Sequence, residues 1–321
     1  MYRTAHPLFL VCETPLHAGS GKDLGIVDLP IQRERHTGFP KIEASGVKGG
    51  IRESFRYKAT QPWQQSNVEL AFGPEKGDLH ASALGFTDAR LLLFPVKSVR
   101  GVFAFITCPK VLSQFELDFR RADEEFQLEG TEELLSVETG EALLLSNHSS
   151  LKLGTDKVIL EEYAFQYRTT DKLRIGDHTL GSYLAEQLFP DLPWWNSKLK
   201  HDIVILNDND YGDFVQLSTE VITRTKIDSE TGTVAQGQLF TEEFLPTDSI
   251  LYTLALTAPL FSKEKLREET KTTGRDAQAV LDYFRRGLDK SLQLGGDATL
   301  GKGIVRTKLL TSENSDHADH N

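Results

Sequence analysis

The order of strand-like and helix-like segments is the feature that most limits how this chain can fold. Alternating apolar residues predict a strand at 7–14, and Val47, Ile51 and Phe55 recur at the four-residue spacing of a helix. The main segments lie at 7–14, 45–59, 89–108, 110–125, 249–257, 276–292 and 304–310. Their order approximates β-α-β-β-α-β with large insertions. We therefore expect an α+β fold with a ferredoxin-like, RRM-like core, the arrangement used by RNA-recognition modules.

The whole of 1–310 is predicted to form a single domain, with segments outside the core pattern. Residues 129–160 are highly charged and are predicted to be an insertion. Turn residues at 228–232 separate two strand-like runs, which predicts a hairpin. The polar end of the chain, 311–321, has the composition of a disordered tail.

The charge of the chain is strongly segregated. Its formal net charge is -11, which by itself argues against nucleic-acid binding. Acidic residues dominate 116–141, whereas 33–58 carries seven bases (Arg33, Arg35, Lys41, Lys48, Arg52, Arg56, Lys58) against three acids (Glu34, Glu43, Glu53). An acidic protein can still have a positive groove. No apolar run approaches the roughly 20 residues of a membrane span, so we expect a cytoplasmic protein without membrane partners.

The segment ASGVKGGIRESFR carries the clearest phosphate-binding pattern. Ser45 is predicted to cap a helix that continues to about Ala59. Lys48, Arg52 and Arg56 recur at four-residue steps and form a cationic row along one edge of this helix. A solvated face is the ordinary interpretation of a single lysine. Three bases in register beside two glycines favour contact with a phosphate backbone instead.

Further RNA contacts are predicted from bases that lie next to turns. Arg33 and Arg35 follow a Gly-rich loop, and Arg224 and Lys226 flank the predicted hairpin. The loop GGDATLGKG could approach a phosphate backbone closely, with Gly301 in the loop and Lys302 and Arg306 supplying charge. A tight connector between a helix and a strand is the alternative interpretation of this loop.

Asp28 is the one acid set among apolar neighbours in the Gly-rich loop, after Ile26 and Val27. Such an acid is expected to be partly desolvated, which raises its pKa and suits acid–base or metal-assisted chemistry. From composition alone, an ordinary turn-capping aspartate remains the favoured interpretation. The sequence contains no Cys or His cluster with zinc-ligand spacing, and His17 is isolated in sequence.

Several long segments of the sequence resemble those of one family. They are DLPIQRERHTGFPKI, ASGVKGGIRESFR, HASALGFTDARLLLFPVKSVRGVFAFITCPKVL, KIDSETGTVAQGQLFTEEFLP and LGGDATLGKGI. Together they resemble the backbone RAMP subunit of the type III-B CRISPR effector, the Cmr complex. The resemblance extends from about residue 8 to residue 308.

The resemblance implies an RNA-guided function in antiviral defence. Copies of such a subunit stack as a filament along a guide RNA with other Cmr subunits, and a protruding thumb hairpin, here about 223–246, kinks the guide–target duplex. Each copy cleaves target RNA with a weakly bound divalent metal, Mg²⁺ or Mn²⁺. Asp28 matches the position of the catalytic acid and possible metal ligand, and Lys48 matches a guide-contacting position. His17 and Glu243 lie in segments that this family associates with the cleavage site.

Two other functions remain open at this stage. The same scaffold could bind guide RNA without performing chemistry, as a structural subunit. It could also be an endoribonuclease that processes precursor guide RNA, which predicts cleavage of repeat RNA by the isolated chain.

Overall fold

A computed structural model describes residues 2–22, 25–58, 65–75, 80–227, 232–266 and 274–310. The chain divides into two compact units. The first comprises 1–18, 41–90 and 251–321, and the second comprises 19–40 and 91–250.

The secondary structure alternates short strands with helices. The strands are β1 (Thr4–Cys12), β2 (Lys41–Ile42), β3 (Leu84–Phe86), β4 (Ala89–Lys97), β5 (Phe103–Thr107), β6 (Glu141–Leu144), β7 (Lys157–Leu160), β8 (Tyr163–Thr169), β9 (Arg174–Ile175), β10 (His178–Thr179), β11 (Ile203–Leu206), β12 (Glu220–Ile227), β13 (Val234–Phe244), β14 (Ile250–Thr257), β15 (Ser291–Gln293) and β16 (Ile304–Leu309). The α-helices are α1 (Ala44–Arg56), α2 (Gln65–Phe72), α3 (Pro109–Phe119), α4 (Leu180–Leu188), α5 (Pro193–His201), α6 (Asp208–Leu217) and α7 (Ala277–Gly287). Among the described residues, 3₁₀ helices lie at Thr131–Ser136 and Ala298–Leu300.

The first unit has a ferredoxin-like topology, the class that the sequence predicts, but not from the predicted elements. Residues 91–108 and the helix predicted at 110–125 lie in the second unit. The chain order of the first unit is β1, α1, β3, β14, α7 and β16, which is β-α-β-β-α-β. In the sheet these strands lie in the order β16, β1, β14, β3, so the last strand of the motif pairs with the first. This finding confirms the α+β class and the RRM-like core.

The core of the first unit forms where the apolar stripe of α1 is buried. Val47, Ile51 and Phe55 are each 0% exposed, as their four-residue spacing predicts. The Phe55 ring centroid lies 5.1 Å from that of Phe72 on α2 and 5.6 Å from that of Tyr283 on α7. These contacts fix α1 in place and leave its opposite edge for other roles.

The second unit contains a run of paired strands and a hairpin. Its strands follow the order β4, β5, β11, β6, β8, β7. The stretch 129–160, predicted as an insertion, supplies β6 and β7 to this sheet, and Leu143 and Leu144 of β6 are fully buried. Strands β12 and β13 pair with each other as an antiparallel hairpin, from Glu220 opposite Phe244 to Ile227 opposite Val234.

The capping role predicted for Ser45 is wrong. Helix α1 begins at Ala44, and the Asp88 side chain caps it by accepting the Ala44 backbone N–H at 2.9 Å. Because Asp88 is distant in sequence, no local pattern identifies it as the cap. The helix ends at Arg56, and residue 59, the predicted end, lies outside the described residues.

The predicted disordered tail, 311–321, also lies outside the described residues. Within the described part of the chain, every helix is too short or too polar to cross a membrane.

Candidate active site and nucleic-acid interface

The loop that carries Asp28 is hydrogen-bonded to the hairpin. Leu29 donates its backbone N–H to the Thr241 carbonyl at 3.0 Å, and Glu243 donates its backbone N–H to the Leu29 carbonyl at 3.0 Å. Leu29 and Glu242 form a parallel bridge. The loop therefore continues the β13 side of the hairpin as a short third strand. We call residues 25–33 together with β12 and β13 the loop–hairpin site.

Asp28 is exposed and is held by one residue of β13. Its Oδ2 accepts the Thr241 backbone N–H at 2.7 Å and the Thr241 hydroxyl at 2.9 Å. The Asp28 backbone N–H in turn lies 2.9 Å from Thr241 Oγ1. Two donors from a single threonine thus orient this carboxylate.

The predicted desolvation of Asp28 is wrong. The hydrogen bond from the Thr241 backbone N–H, followed by that from its hydroxyl, lowers the pKa of Asp28 below its ordinary value. The neighbouring Ile26 is 100% exposed, so it does not shield the carboxylate. Asp28 is therefore ionised at neutral pH, and it can act as a base, a hydrogen-bond acceptor or a cation ligand.

Glu243 belongs to the same site but has a different environment. It is 5% exposed, and its carboxylate accepts hydrogen bonds from the Arg33 guanidinium, from the Thr219 hydroxyl at 2.7 Å and from the Ile31 backbone N–H at 3.0 Å. These donors saturate the carboxylate. Its structural role is to join the Gly-rich loop to the base of the hairpin.

The arginines of the loop–hairpin site are mostly paired with acids. Arg33, which binds Glu243, also donates to the Gly38 carbonyl at 2.8 Å. Arg224 Nε lies 2.7 Å from Glu242 Oε2.

Two further predicted RNA contacts lie in the same unit. Arg35 is exposed. Lys226 lies in β12, and its side chain falls outside the described residues.

Helix α1 presents a different arrangement of charge. Lys48 and Arg52 lie one helical turn apart and are only partly exposed. Burial, and then the Arg52 charge, lower the pKa of Lys48. The Nε and Nη2 atoms of Arg52 are buried, and among the described residues they have no hydrogen-bond partner. We call Lys48 and Arg52 the cationic pair.

The other residues predicted on α1 are placed differently. Arg56 forms ion pairs with Glu53 at 3.3 Å and with Glu75 at 3.1 Å. Ser45 is exposed in the first turn. Of the three bases that were predicted to form one row, Lys48 and Arg52 form the cationic pair, whereas acidic side chains neutralise the charge of Arg56.

His17 lies in the first unit, against the Gly-rich loop 295–303. The His17 carbonyl accepts the Gly296 N–H at 2.8 Å, and a Cβ on Gly295, which has φ of 77°, would lie 2.3 Å from that carbonyl. Only glycine allows this close approach. His17 thus belongs to the unit that contains the cationic pair, whereas Asp28 and Glu243 belong to the other.

The cations predicted around this loop have mixed surroundings. Gly301 faces open space and has φ of 70°, so its backbone is accessible. Lys302 follows it and is partly exposed. Arg306 forms an ion pair with Glu13 at 2.9 Å.

Comparison with known proteins assigns the family. The model of the RAMP superfamily matches residues 9–306. "CRISPR system Cmr endoribonuclease Cmr4" of Pyrococcus furiosus is 35% identical over 316 residues, which is 95% of this chain and 96% of that protein. The chain belongs to the Cmr4 family of the RAMP superfamily.

Solved structures agree with this assignment. The crystal structure of oligomeric Cmr4 from Pyrococcus furiosus has a TM-score of 0.68 and 29% identity to this Cmr4 homologue, covering 96% of this chain and 99% of that one. A chain of the type III-B Cmr-beta complex bound to cognate target RNA has a TM-score of 0.70 at 21% identity, covering 96% and 98%. The second likeness shows the shared RAMP fold.

The fit of a metal ion to this Cmr4 homologue depends on Asp28. Across the described ranges, no group of three or more His, Cys, Asp or Glu side chains is arranged to hold an ion. Mg²⁺ often binds through one or two carboxylates and takes its other ligands from substrate phosphates and water. The single exposed carboxylate of Asp28 fits an ion of that kind, and it does not fit a closed all-protein cage.

Sequence reasoning missed Thr241, Thr219 and Asp88 in this RAMP protein. Thr241 and Asp28 are separated by 213 positions, and Asp88 and Ala44 by 44. Each threonine lies in a strand or next to one, where threonine is common, so its presence there does not indicate a functional role. Only knowledge of the strand pairing could have identified them.

Proposed function

We propose that this chain is a guide-RNA-binding subunit of a type III-B CRISPR effector complex that cleaves complementary target RNA. It would assemble with copies of itself and with other Cmr subunits along the guide, with Asp28 as the catalytic carboxylate. The relative's name, a Cmr endoribonuclease, supports the activity, and the oligomeric crystal structure of Cmr4 supports self-assembly. The observation that carries the proposal is the exposed, ionised Asp28, held on a hairpin while nearby Glu243 is buried and saturated.

The cationic pair on α1 is the proposed contact with the guide backbone. Exposed first-turn residues of a helix offer backbone N–H groups to a phosphate, and Lys48 and Arg52 would add charge beside them. Base pairing between guide and target supplies sequence recognition, so the protein needs to hold only backbones by charge and shape. The partly exposed Arg52 side chain carries no ion pair among the described residues, so its charge is available to an anionic ligand.

The chemistry of Asp28 follows from its ionisation. A carboxylate with a lowered pKa is a poor proton donor, so it would not act as general acid. It can accept a hydrogen bond from an attacking 2′-hydroxyl or water and hold that nucleophile in line with the scissile phosphate. A weakly held Mg²⁺ or Mn²⁺, bound through Asp28, would stabilise the charge that develops on the phosphate.

Replacing Asp28 with Asn in the assembled complex tests this function. We expect target RNA to bind as before, while cleavage falls by roughly 100-fold or more, since a positioned proton-transfer group contributes about that much. Asp156→Asn is the matched control, because Asp156 is an exposed aspartate outside the loop–hairpin site. Cleavage at the full rate by Asp28→Asn would remove the catalytic assignment and leave a non-catalytic guide-binding subunit.

A further inference from the structure

Thr241 makes more contacts with Asp28 than its position in a hairpin strand requires. Its backbone N–H and its hydroxyl both donate to Asp28 Oδ2, at 2.7 Å and 2.9 Å. The same hydroxyl oxygen lies 2.9 Å from the Asp28 backbone N–H. One threonine therefore contacts both the side chain and the main chain of the aspartate.

We propose that Thr241 is the positioning residue that orients the Asp28 carboxylate toward RNA, an inference that rests on the proposed function. Its role is to act through Asp28, without contacting the reacting atoms itself.

The distribution of hydrogen bonds between the two carboxylate oxygens supports this role. Both Thr241 donors reach Oδ2, and neither reaches Oδ1. Asp28 is exposed, so without these bonds its side chain would exchange between rotamers. Because Thr241 holds Oδ2, the orientation of the carboxylate is fixed and Oδ1 points in one direction. Catalysis is sensitive to such placement, because a displacement of about 1 Å can cost roughly 100-fold in rate.

The support beneath Thr241 is rigid enough for this purpose. Two backbone hydrogen bonds join Leu29 to Thr241 and Glu243, on either side of Glu242, and fix the loop main chain directly after Asp28. The buried Glu243 carboxylate accepts the Ile31 N–H two residues further on. Thr223 lies directly opposite Thr241 on β12. It points to the same face of the hairpin, as cross-strand partners do, but it is exposed and does not contact Asp28.

The experiment compares Thr241→Val with Thr241→Ser in the assembled, guide-loaded complex, measuring target binding and single-turnover cleavage separately. Valine keeps the shape of threonine and favours strands, so the hairpin should be retained. We expect Thr241→Val to bind target normally and to cleave roughly tenfold or more slowly, because one hydrogen bond to a charged group is lost. Thr241→Ser, which restores the hydroxyl, should cleave within about threefold of the original rate.

Thr223→Val is the control, because it makes the same chemical change on the opposite strand and should leave cleavage unchanged. Equal cleavage by Thr241→Val and the original protein, or an equal defect in the Val and Ser variants, would overturn the positioning role. If Thr241→Val does not assemble, Thr241→Ala against Thr241→Ser decides the question by the same measurement.

Asp28→Asn is run beside these variants to separate this inference from the proposed function. If Asp28→Asn abolishes cleavage while Thr241→Val leaves it intact, the function stands and the role of Thr241 is wrong. If Asp28→Asn cleaves fully, the catalytic assignment itself fails.

Discussion

Helix α1 and the loop–hairpin site both contain several cationic side chains, but the two regions differ in whether acidic side chains pair with them. At the loop–hairpin site Arg33 and Arg224 are neutralised by Glu243 and Glu242, which are each 5% exposed. On α1, by contrast, no acid among the described residues forms an ion pair with Lys48 or Arg52. Arg33 and Arg224 therefore link parts of the fold, whereas the cationic pair is the proposed contact with the guide RNA.

The energetic reason is the cost of burying a charged group without a partner. A buried polar atom that lacks a hydrogen bond is unfavourable, and such atoms are rare in native proteins. Burial, and then repulsion from Arg52, lower the pKa of Lys48. Sites that keep such a cost are usually functional.

Breaking the Arg33–Glu243 pair should have the largest effect on stability. We expect Glu243→Gln to lower the free energy of unfolding by about 3 kcal/mol, because a mostly buried guanidinium loses its counter-charge. Chemical denaturation of the purified chain measures this. Arg33→Met combined with Glu243→Met should recover much of the loss, since no charge is left unpaired. A loss below 0.5 kcal/mol, roughly the effect of a surface substitution, would contradict a structural role for the pair.

Removing the cationic pair should affect RNA instead of the fold. We expect Lys48→Ala with Arg52→Ala to weaken guide-RNA binding by about 2 kcal/mol, roughly thirtyfold, and to reduce the slope of log affinity against log salt by about 1.4. Thermal stability should stay the same or rise. Arg56→Ala, whose guanidinium is already neutralised by Glu53 and Glu75, is the control and should change binding less.

An unchanged salt slope in the double variant would remove α1 from the RNA interface. A large drop in melting temperature would mean that the cationic pair is structural after all.

Two adjacent glycines separate the packed face of α1 from its open face. A Cβ at position 50 would lie 2.4 Å from the Leu294 side chain, so Gly50→Ala should destabilise the chain by about 1–3 kcal/mol. Nothing lies within 4 Å of a Cβ at position 49, so Gly49→Ala should stabilise the helix by roughly 0.5–1 kcal/mol. Thermal unfolding of both variants checks the signs, and two effects of the same sign would contradict this placement of α1.

The smallest expected effect is a pH dependence from Lys48. Its pKa in the folded chain is below the ordinary value, so folding disfavours the charged form. Between that lowered pKa and the ordinary value near 10.4, the unfolded chain binds more protons, and stability should therefore rise with pH. Denaturation curves at alkaline pH should show this rise in the original protein and not in Lys48→Met. A parallel pH profile in both proteins would mean that Lys48 is not perturbed.

The sequence was sufficient where the determining contacts are local. The stripe of Val47, Ile51 and Phe55 is a helical period, and the structure buries all three. The element order indicated the ferredoxin-like class, but it placed 89–108 and the helix at 110–125 in the core motif, where the structure has β3, β14 and α7.

At the loop–hairpin site, local sequence patterns could not predict the contacts between residues that are far apart in sequence. Asp28 follows Ile26 and Val27, which suggested burial, yet its environment is set by Thr241 on a distant strand. The capping of α1 by Asp88 and the neutralisation of Arg56 by Glu75 are likewise non-local. A sequence pattern can identify which residues are charged or polar, whereas the partner that decides their role comes from the fold.

The third-strand pairing of the Asp28 loop with β13 has a mechanical consequence. Because the Asp28 N–H bonds to the Thr241 hydroxyl and Leu29 bonds to both Thr241 and Glu243, the loop backbone is tied to β13 at Asp28 and directly after it. If the hairpin changes its angle, the Asp28 carboxylate moves with it, because the loop is hydrogen-bonded to β13. Any strand of nucleic acid that bends around the hairpin would then meet the carboxylate at the same point of the bend.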